Sequence, residues 1–241
     1  MEFCKLCHDR GVIISNDIAV PCTCGPQRAL SRRLKESGLP KILYTCTFES
    51  FDFSYYQIKE SVKGFNYFDT AKRTYQAALD FVTEFKKSSN CDGLFISGPV
   101  GSGKTFLACC IANALLAEGF LVLFVIVPDL LDHIRFTYNP NSGSDLTEQD
   151  LLETARQVPL LILDDLGSHN YTEWVRNKIY SILNHRLNYC LPTIITTNIN
   201  LEDLDEFLGE RTTSRIYQMC RPYRLMVSVD IRVAQRKKNQ K

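Results

Sequence analysis

From about Tyr44 onward, short apolar runs alternate with longer stretches in which apolar and polar positions recur with helical spacing. The runs are Leu94 to Ser97, Leu121 to Val127, Leu160 to Leu163, Thr193 to Thr197 and Arg224 to Val229. Near-continuous apolarity of this kind predicts strands buried on both faces, as in a parallel sheet covered by helices. An amphipathic helix is predicted from Tyr67 to Lys86. A second, from Phe106 to Leu116, is apolar almost all round and predicts a buried helix. A third is predicted from Leu201 to Leu208. Strands alternating with helices give an α/β domain with five central strands.

At 241 residues the chain suits one sizeable α/β core with a small appendage. Its 45% hydrophobic and 23% charged content is that of an ordinary globular protein. Phe120 to Val127, the longest apolar stretch, is far too short to span a bilayer. Met1 to His8 lacks the basic-then-apolar layout of a secretion signal. Ten cysteines in such a chain point to the reducing cytosol, with thiols serving as ligands or core residues. A formal charge of +1 makes no bulk demand for nucleic acid, so any such contact must come from local patches.

Four cysteines pair at the start, as Cys4-x-x-Cys7 and Cys22-x-Cys24. The insert from Gly11 to Val20 is predicted as strand, Asn16-Asp17 turn, strand. Two knuckles joined by a hairpin are the layout of a zinc ribbon, and a structural Zn²⁺ would let so small a region fold. His8 and Cys46 are reserve ligands, because the second knuckle has a tight bite. The other cysteines, Cys46, Cys91, Cys109, Cys110, Cys190 and Cys220, show no ligand spacing and are expected as small core residues. Gln27 to Gly38 is a basic helix stopped by Gly38 and Pro40, with Arg28, Arg32 and Lys35 on one face.

The sharpest motif is Gly98-Pro99-Val100-Gly101-Ser102-Gly103-Lys104-Thr105, placed between a predicted strand and a predicted helix. Glycines let backbone N–H groups turn inward around a polyphosphate, and the helix start adds a positive dipole end. Lys104 then reaches the β- and γ-phosphates, and the Thr105 hydroxyl is offered to Mg²⁺. Phe106 follows as part of the same binding segment. Leu163-Asp164-Asp165-Leu166-Gly167 ends another strand where open α/β sheets place ligands. There Asp164 is expected to hold Mg²⁺ through water and Asp165 to orient and deprotonate an attacking water. Thr196-Thr197-Asn198 ends a further strand. Asn198 either aims its amide at the γ-phosphate or caps the next helix. Arg211 and Arg215 lie one helical turn apart in Gly209 to Ile216. They are either a surface pair or a source of an arginine finger for a neighbouring subunit.

Taken in order and spacing, Gly98–Thr105, Leu160–Gly167, Thr196–Asn198 and Gly209–Ile216 resemble the bacterial DnaC/DnaI helicase loaders and the related IstB transposition ATPases, which are AAA+ proteins. Cys46-Thr47-Phe48-Glu49-Ser50-Phe51 and the leading knuckles also look like those of zinc-bearing loaders. The resemblance covers almost the whole chain. It implies a zinc-binding unit over residues 1–40 and an AAA+ domain over 41–241. That domain is three-layered, with a five-stranded parallel sheet ordered 5-1-4-3-2. It implies ATP rather than GTP, a cytoplasmic home and assembly into a homo-oligomeric spiral. Arg215, with Arg211 second, would complete the adjacent site there. It further implies a hexameric replicative helicase as partner and single-stranded DNA in the spiral. By position Arg135, Tyr138 and Trp174 are candidate DNA contacts, with Phe136 assigned to the core.

Two features depart from the family pattern. Asp164-Asp165 stands where most AAA+ proteins have Asp-Glu, which favours slow turnover. So few residues follow Arg211 that the helical lid is missing or vestigial, leaving Arg232 as the candidate second sensor. Besides an ATP-dependent loader, two other readings are consistent with these residues: a transposition helper on duplex DNA, and a zinc adaptor that binds nucleotide without hydrolysing it.

Overall fold

The computed structural model describes residues 7, 12–15, 18–22, 38–57, 61–62, 64–131, 148–167 and 171–238. The first strands, β1 (Val12–Ser15) and β2 (Ile18–Pro21), form an antiparallel hairpin in which Ser15 faces Ile18 across a two-residue connection. The two strands are those expected between the cysteine knuckles; Asn16 and Asp17, the expected turn, lie outside the described residues. A second small hairpin pairs β3 (Ser61–Val62) with β4 (Phe65–Asn66).

Helix α1 (Tyr67–Lys87) begins at Asn66, whose side-chain oxygen accepts the Asp69 N–H at 2.7 Å. That bond satisfies one of the otherwise unpaired N–H groups at the helix start. Its buried residues Ala71, Thr74, Ala78, Phe81 and Phe85 recur at three- and four-residue steps and so form one face. Then follow β5 (Gly93–Ser97), α2 (Lys104–Ala117), β6 (Val122–Ile126), α3 (Glu148–Gln157), β7 (Leu160–Asp164), α4 (Glu173–Asn188), β8 (Thr193–Thr197), α5 (Leu204–Leu208), α6 (Glu210–Met219), β9 (Cys220–Arg224) and α7 (Ile231–Lys238).

The five-stranded sheet is ordered β6-β7-β8-β5-β9, and all its pairings are parallel. Counted within the sheet this is the expected order 5-1-4-3-2 read from the other edge. Alternate strand residues serve opposite layers. Leu94, Ile96, Phe124, Ile162 and Ile194 pack with α1 and α2. Phe95, Leu161, Leu163 and Ile195 pack with α4 and α6. The sheet is therefore covered on both faces, as its apolar runs require.

The last strand lies earlier than its apolar run suggests. Arg224 to Val229 was the expected strand, but β9 ends at Arg224. It is an edge strand, with Arg221 and Pro222 exposed. An edge tolerates proline and needs no apolar run. Leu225 and Val227 are buried for a different reason: this segment crosses the end of β5, where the Leu225 N–H donates to Ser97 O at 2.8 Å. Leu201 to Leu208 is helical as expected, but as a 3₁₀ turn (Leu201–Asp203) running into α5. Among the described residues β9 is followed by α7.

Cys46, Cys109, Cys110 and Cys220 are buried as expected and Cys91 is half-buried. Cys190 is not in the core: it is exposed just past α4 at φ 52°. No helix among the described residues is long and apolar enough to cross a membrane.

One buried charge organises the far end of the sheet. Arg186, fully buried in α4, donates to the carbonyls of Ala155, Arg156, Val158, Pro159 and Pro192 and to the Thr193 hydroxyl, at 2.6–3.4 Å. It thereby closes the end of α3 and both strand starts that follow. Replacing it strands these acceptors away from water. Arg186→Met should lose at least about 3 kcal/mol in chemical unfolding or fail to fold, whereas exposed Arg236→Met should change stability by less than about 0.5 kcal/mol.

Candidate functional site: a phosphate loop closed by a ring of hydrogen bonds

The loop from Gly98 to Thr105 joins β5 to α2, as its sequence predicts. Gly103 is the residue before the helix, at φ 93°, and Gly101 lies at φ 72°. Both are conformations that side chains disfavour. A β-carbon on Gly101 would meet the Asp230 carboxylate at 2.1 Å, so that side chain would have to move aside.

Lys104 is 7% exposed. Its ammonium donates to Gly98 O, Pro99 O and Asn198 Oδ1, each at 2.8 Å. Burial pulls its pKa from 10.5 down to about 8, while Asp164 and Asp165 act in the opposite direction. Asn198 then turns its other end outward, donating from Nδ2 to Asp165 Oδ1 at 3.2 Å. The Asp165 N–H donates to the Thr196 hydroxyl at 3.1 Å, and that hydroxyl donates to Asp164 Oδ1 at 2.5 Å. Thr105 completes the ring with its hydroxyl 2.9 and 3.1 Å from the two Asp164 oxygens. Three strand ends and one helix start are thus joined through side chains whose chemistry suits phosphate and metal.

Asp164 is buried, which raises its pKa, and the Thr196 and Thr105 hydroxyls oppose the rise. Asp165 sits at φ 59°, a left-handed conformation uncommon for a residue with a side chain. Leu166 N–H to Thr196 O (2.9 Å) and Thr197 hydroxyl to Leu166 O (2.6 Å) hold the chain just after that bend, and the Thr196 hydroxyl on Asp164 holds it just before. Asn198 is therefore part of the site. The N-cap position of the following turn belongs to Asn200 instead.

Beside the loop lies a cavity of about 570 Å³, large enough for a small-molecule ligand. Gly101 to Phe106 form one wall, Ile231, Arg232 and Gln235 another, and residues between Pro40 and Tyr56 the third. That third wall carries no binding motif in the sequence. Its one signal is aromatic density, with Tyr44, Phe48, Phe51, Phe53, Tyr55 and Tyr56 inside thirteen residues. The oxygens of Thr105 and Asp164 are hard donors on neighbouring elements, a set that fits Mg²⁺.

The other expected residues fall in several places. Arg215 donates from Nε to Asn184 Oδ1 at 3.0 Å on the α4–α6 interface, while Arg211 is exposed. Trp174, in the first turn of α4, is partly buried against the second core layer, with the Lys178 ammonium 5.5 Å from its ring centre. Cys7 and Cys22 are both buried. Cys4, Cys24, His8, Arg135, Phe136 and Tyr138 lie outside the described residues, as does the basic segment Gln27 to Ser37. Among the described residues no three His, Cys, Asp or Glu side chains converge on a metal position.

A parallel sheet in this order, carrying a G-x-x-x-x-G-K-T loop at one strand end and paired acids at another, defines a P-loop nucleotide-binding protein with the AAA+ arrangement. The family described as IstB-like ATP binding protein matches residues 22–218, and the chain belongs to that family. Among curated relatives, the replicative helicase loader DnaC of Escherichia coli (strain K12) is 30% identical over 187 residues, covering 78% of this chain and 69% of DnaC. The replicative helicase loader DnaI of Bacillus subtilis (strain 168) is 27% identical over 222 residues; they cover 84% of this chain but only 65% of DnaI, just under two thirds. Among solved structures, the crystal structure of the DnaC helicase loader superposes with a TM-score of 0.61 at 28% identity, covering 78% of this chain and all of that one. AMPPCP-bound DnaA from Aquifex aeolicus (TM-score 0.59, 18% identity) shares the fold.

The buried ammonium has a consequence for stability. The unfolded lysine holds its proton up to about pH 10.5, the folded one only to about pH 8. Between those values the unfolded chain binds more protons, so this group favours folding increasingly as pH rises and contributes no further change below pH 8. Equilibrium unfolding of the wild type and Lys104→Met should diverge in the wild type's favour from pH 8 to 10.5, by up to about 3 kcal/mol.

Proposed function

We propose that the protein is an ATP-hydrolysing loader of a hexameric replicative DNA helicase. The ring from Lys104 through Asn198, Asp165, Thr196 and Asp164 back to Thr105 carries this reading. Two relatives named helicase loaders, 27% and 30% identical over most of the chain, supply the biological direction. In this reading the loop amides of Gly98 to Thr105 and the Lys104 ammonium grip the β- and γ-phosphates. The Thr105 hydroxyl and Asp164 hold Mg²⁺, which when bound neutralises charge between the phosphates. Asp165 orients and deprotonates the water, and Asn198 keeps Asp165 aimed while facing the γ-phosphate. Arg232 lines the nucleotide cavity from the C-terminal side as second sensor.

In a homo-oligomeric spiral, Arg215 or Arg211 of one copy completes the next copy's site. Arg215 must first release Asn184, whereas Arg211 is already exposed. Single-stranded DNA is met by Arg135, Tyr138 and Trp174. Residues 1–40, with Cys4, Cys7, Cys22 and Cys24 around Zn²⁺, grip the helicase, while residues 41–241 form the ATPase; the protein works in the cytoplasm. The family description favours a second reading, an IstB-like transposition helper, which predicts preference for duplex over single-stranded DNA.

Turnover and binding assays separate the roles. Lys104→Ala should lose ATP binding, whereas Asp165→Ala should keep ATP and trap it, with turnover down about a hundredfold or more. The intact protein should co-elute with a hexameric replicative helicase when ATP is present. Failure to co-elute with or without ATP contradicts the loader reading. If neither substitution lowers hydrolysis more than a surface control, the non-hydrolysing adaptor takes its place. Elemental analysis should find one zinc per chain, lost in Cys7→Ser; a zinc-free wild type contradicts the ribbon.

A further inference from the structure

Two consecutive peptide carbonyls of the phosphate loop are taken up by donors outside it. The N–H of Ile231, at the start of α7, donates to Gly101 O at 3.0 Å, and the Tyr56 hydroxyl donates to Ser102 O at 2.8 Å. In a planar trans peptide the carbonyl and the following N–H point opposite ways. A bond that holds Ser102 O toward Tyr56 therefore turns the Gly103 N–H to the other side. Gly101 O is held in the same way by Ile231, but there the following N–H, of Ser102, ends on Pro99 O at 3.3 Å. A phosphate loop works by the direction of its amides, and the Gly103 amide is aimed from outside.

Tyr56 is built to do this. It is 3% exposed and stacks on Phe51, with ring centres 5.5 Å apart and planes 11° apart. Phe51 is in turn held by Phe53, Tyr75 and Phe106. Burial pushes the phenol pKa upward, so the hydroxyl keeps its proton as a donor. A β-carbon on Gly103 would come within 2.8 Å of that hydroxyl, so the glycine leaves room for the ring.

We infer that Tyr56 is a positioning residue of the nucleotide site, presetting the Gly103 amide toward the phosphates through its bond to Ser102 O. The inference rests on the nucleotide-binding reading above. It separates Tyr56 from Phe51, Phe53 and Phe106 of its cluster, whose side chains pack but carry no polar atom. Tyr75 is the natural comparison: its hydroxyl donates to Phe48 O at 3.2 Å in the same cluster.

Binding of Mg-ATP and of Mg-tripolyphosphate to the intact protein, read by displacement of a fluorescent ATP analogue, tests this. Tyr56→Phe should weaken both ligands by the same factor, about five- to tenfold, the worth of one net hydrogen bond. Tyr75→Phe should stay within about twofold for both, although it loses a comparable bond. Equal affinities in Tyr56→Phe and wild type overturn the inference. So does a loss confined to ATP, which puts Tyr56 on the base side of the cavity, or an equal loss in Tyr75→Phe, which marks general loosening. Absence of ATP binding by the wild type removes the nucleotide site itself and this inference with it.

Discussion

A buried ammonium must find oxygen, and at Lys104 that requirement fixes where three strand ends go. The side chain is nearly inaccessible to water, so its donors must end on carbonyls or amides of the protein. They end on Gly98 and Pro99, just beyond β5, and on Asn198, just beyond β8. From Asn198 the hydrogen bonds pass to Asp165 beyond β7 and return through Thr196 and Asp164 to Thr105, the neighbour of Lys104. The circuit closes only if β8 lies between β5 and β7, as it does. Topology and chemistry are one constraint here.

Such a ring also explains the local strain. Asp165 turns left-handed immediately after β7, and Asp164 before it and Leu166 after it are both tied to β8. The carboxylate is thereby aimed at Asn198 rather than left to solvent. Strain of this kind persists where surrounding bonds over-determine it, and it is concentrated where the chemistry would occur. The opposite end of the sheet is tied by Arg186 in a different way, through carbonyls and the Thr193 hydroxyl, with no carboxylate among its hydrogen-bond partners and no opening onto the nucleotide cavity. One end is built for a ligand and the other for closure.

Much of this was legible in the residues because it rests on periodicity or fixed spacing. Tyr67 to Lys87, β5, β7 and β8 follow directly from buried faces and apolar runs, and the phosphate loop is a spacing that leaves little freedom. Asn198 was legible only by position, since asparagine after a strand serves equally as a helix cap until its partners are known. The last strand was not legible. Its true residues, Cys220 to Arg224, form an edge strand in which only Cys220 is buried, while the apolar Leu225 and Val227 enter the core without joining the ladder. Tyr56 and Arg186 were hidden for a related reason. Each acts through backbone carbonyls remote in sequence, and no local pattern marks a side chain for that task.

The central claim is that this ring and the loop it encloses receive a magnesium-bound triphosphate. Calorimetric titration of the intact protein with ATP, run with and without Mg²⁺, tests it most directly. The account predicts saturable binding of one ATP per chain, strengthened by the metal. Absence of binding heat at millimolar ATP with Mg²⁺ present would contradict it.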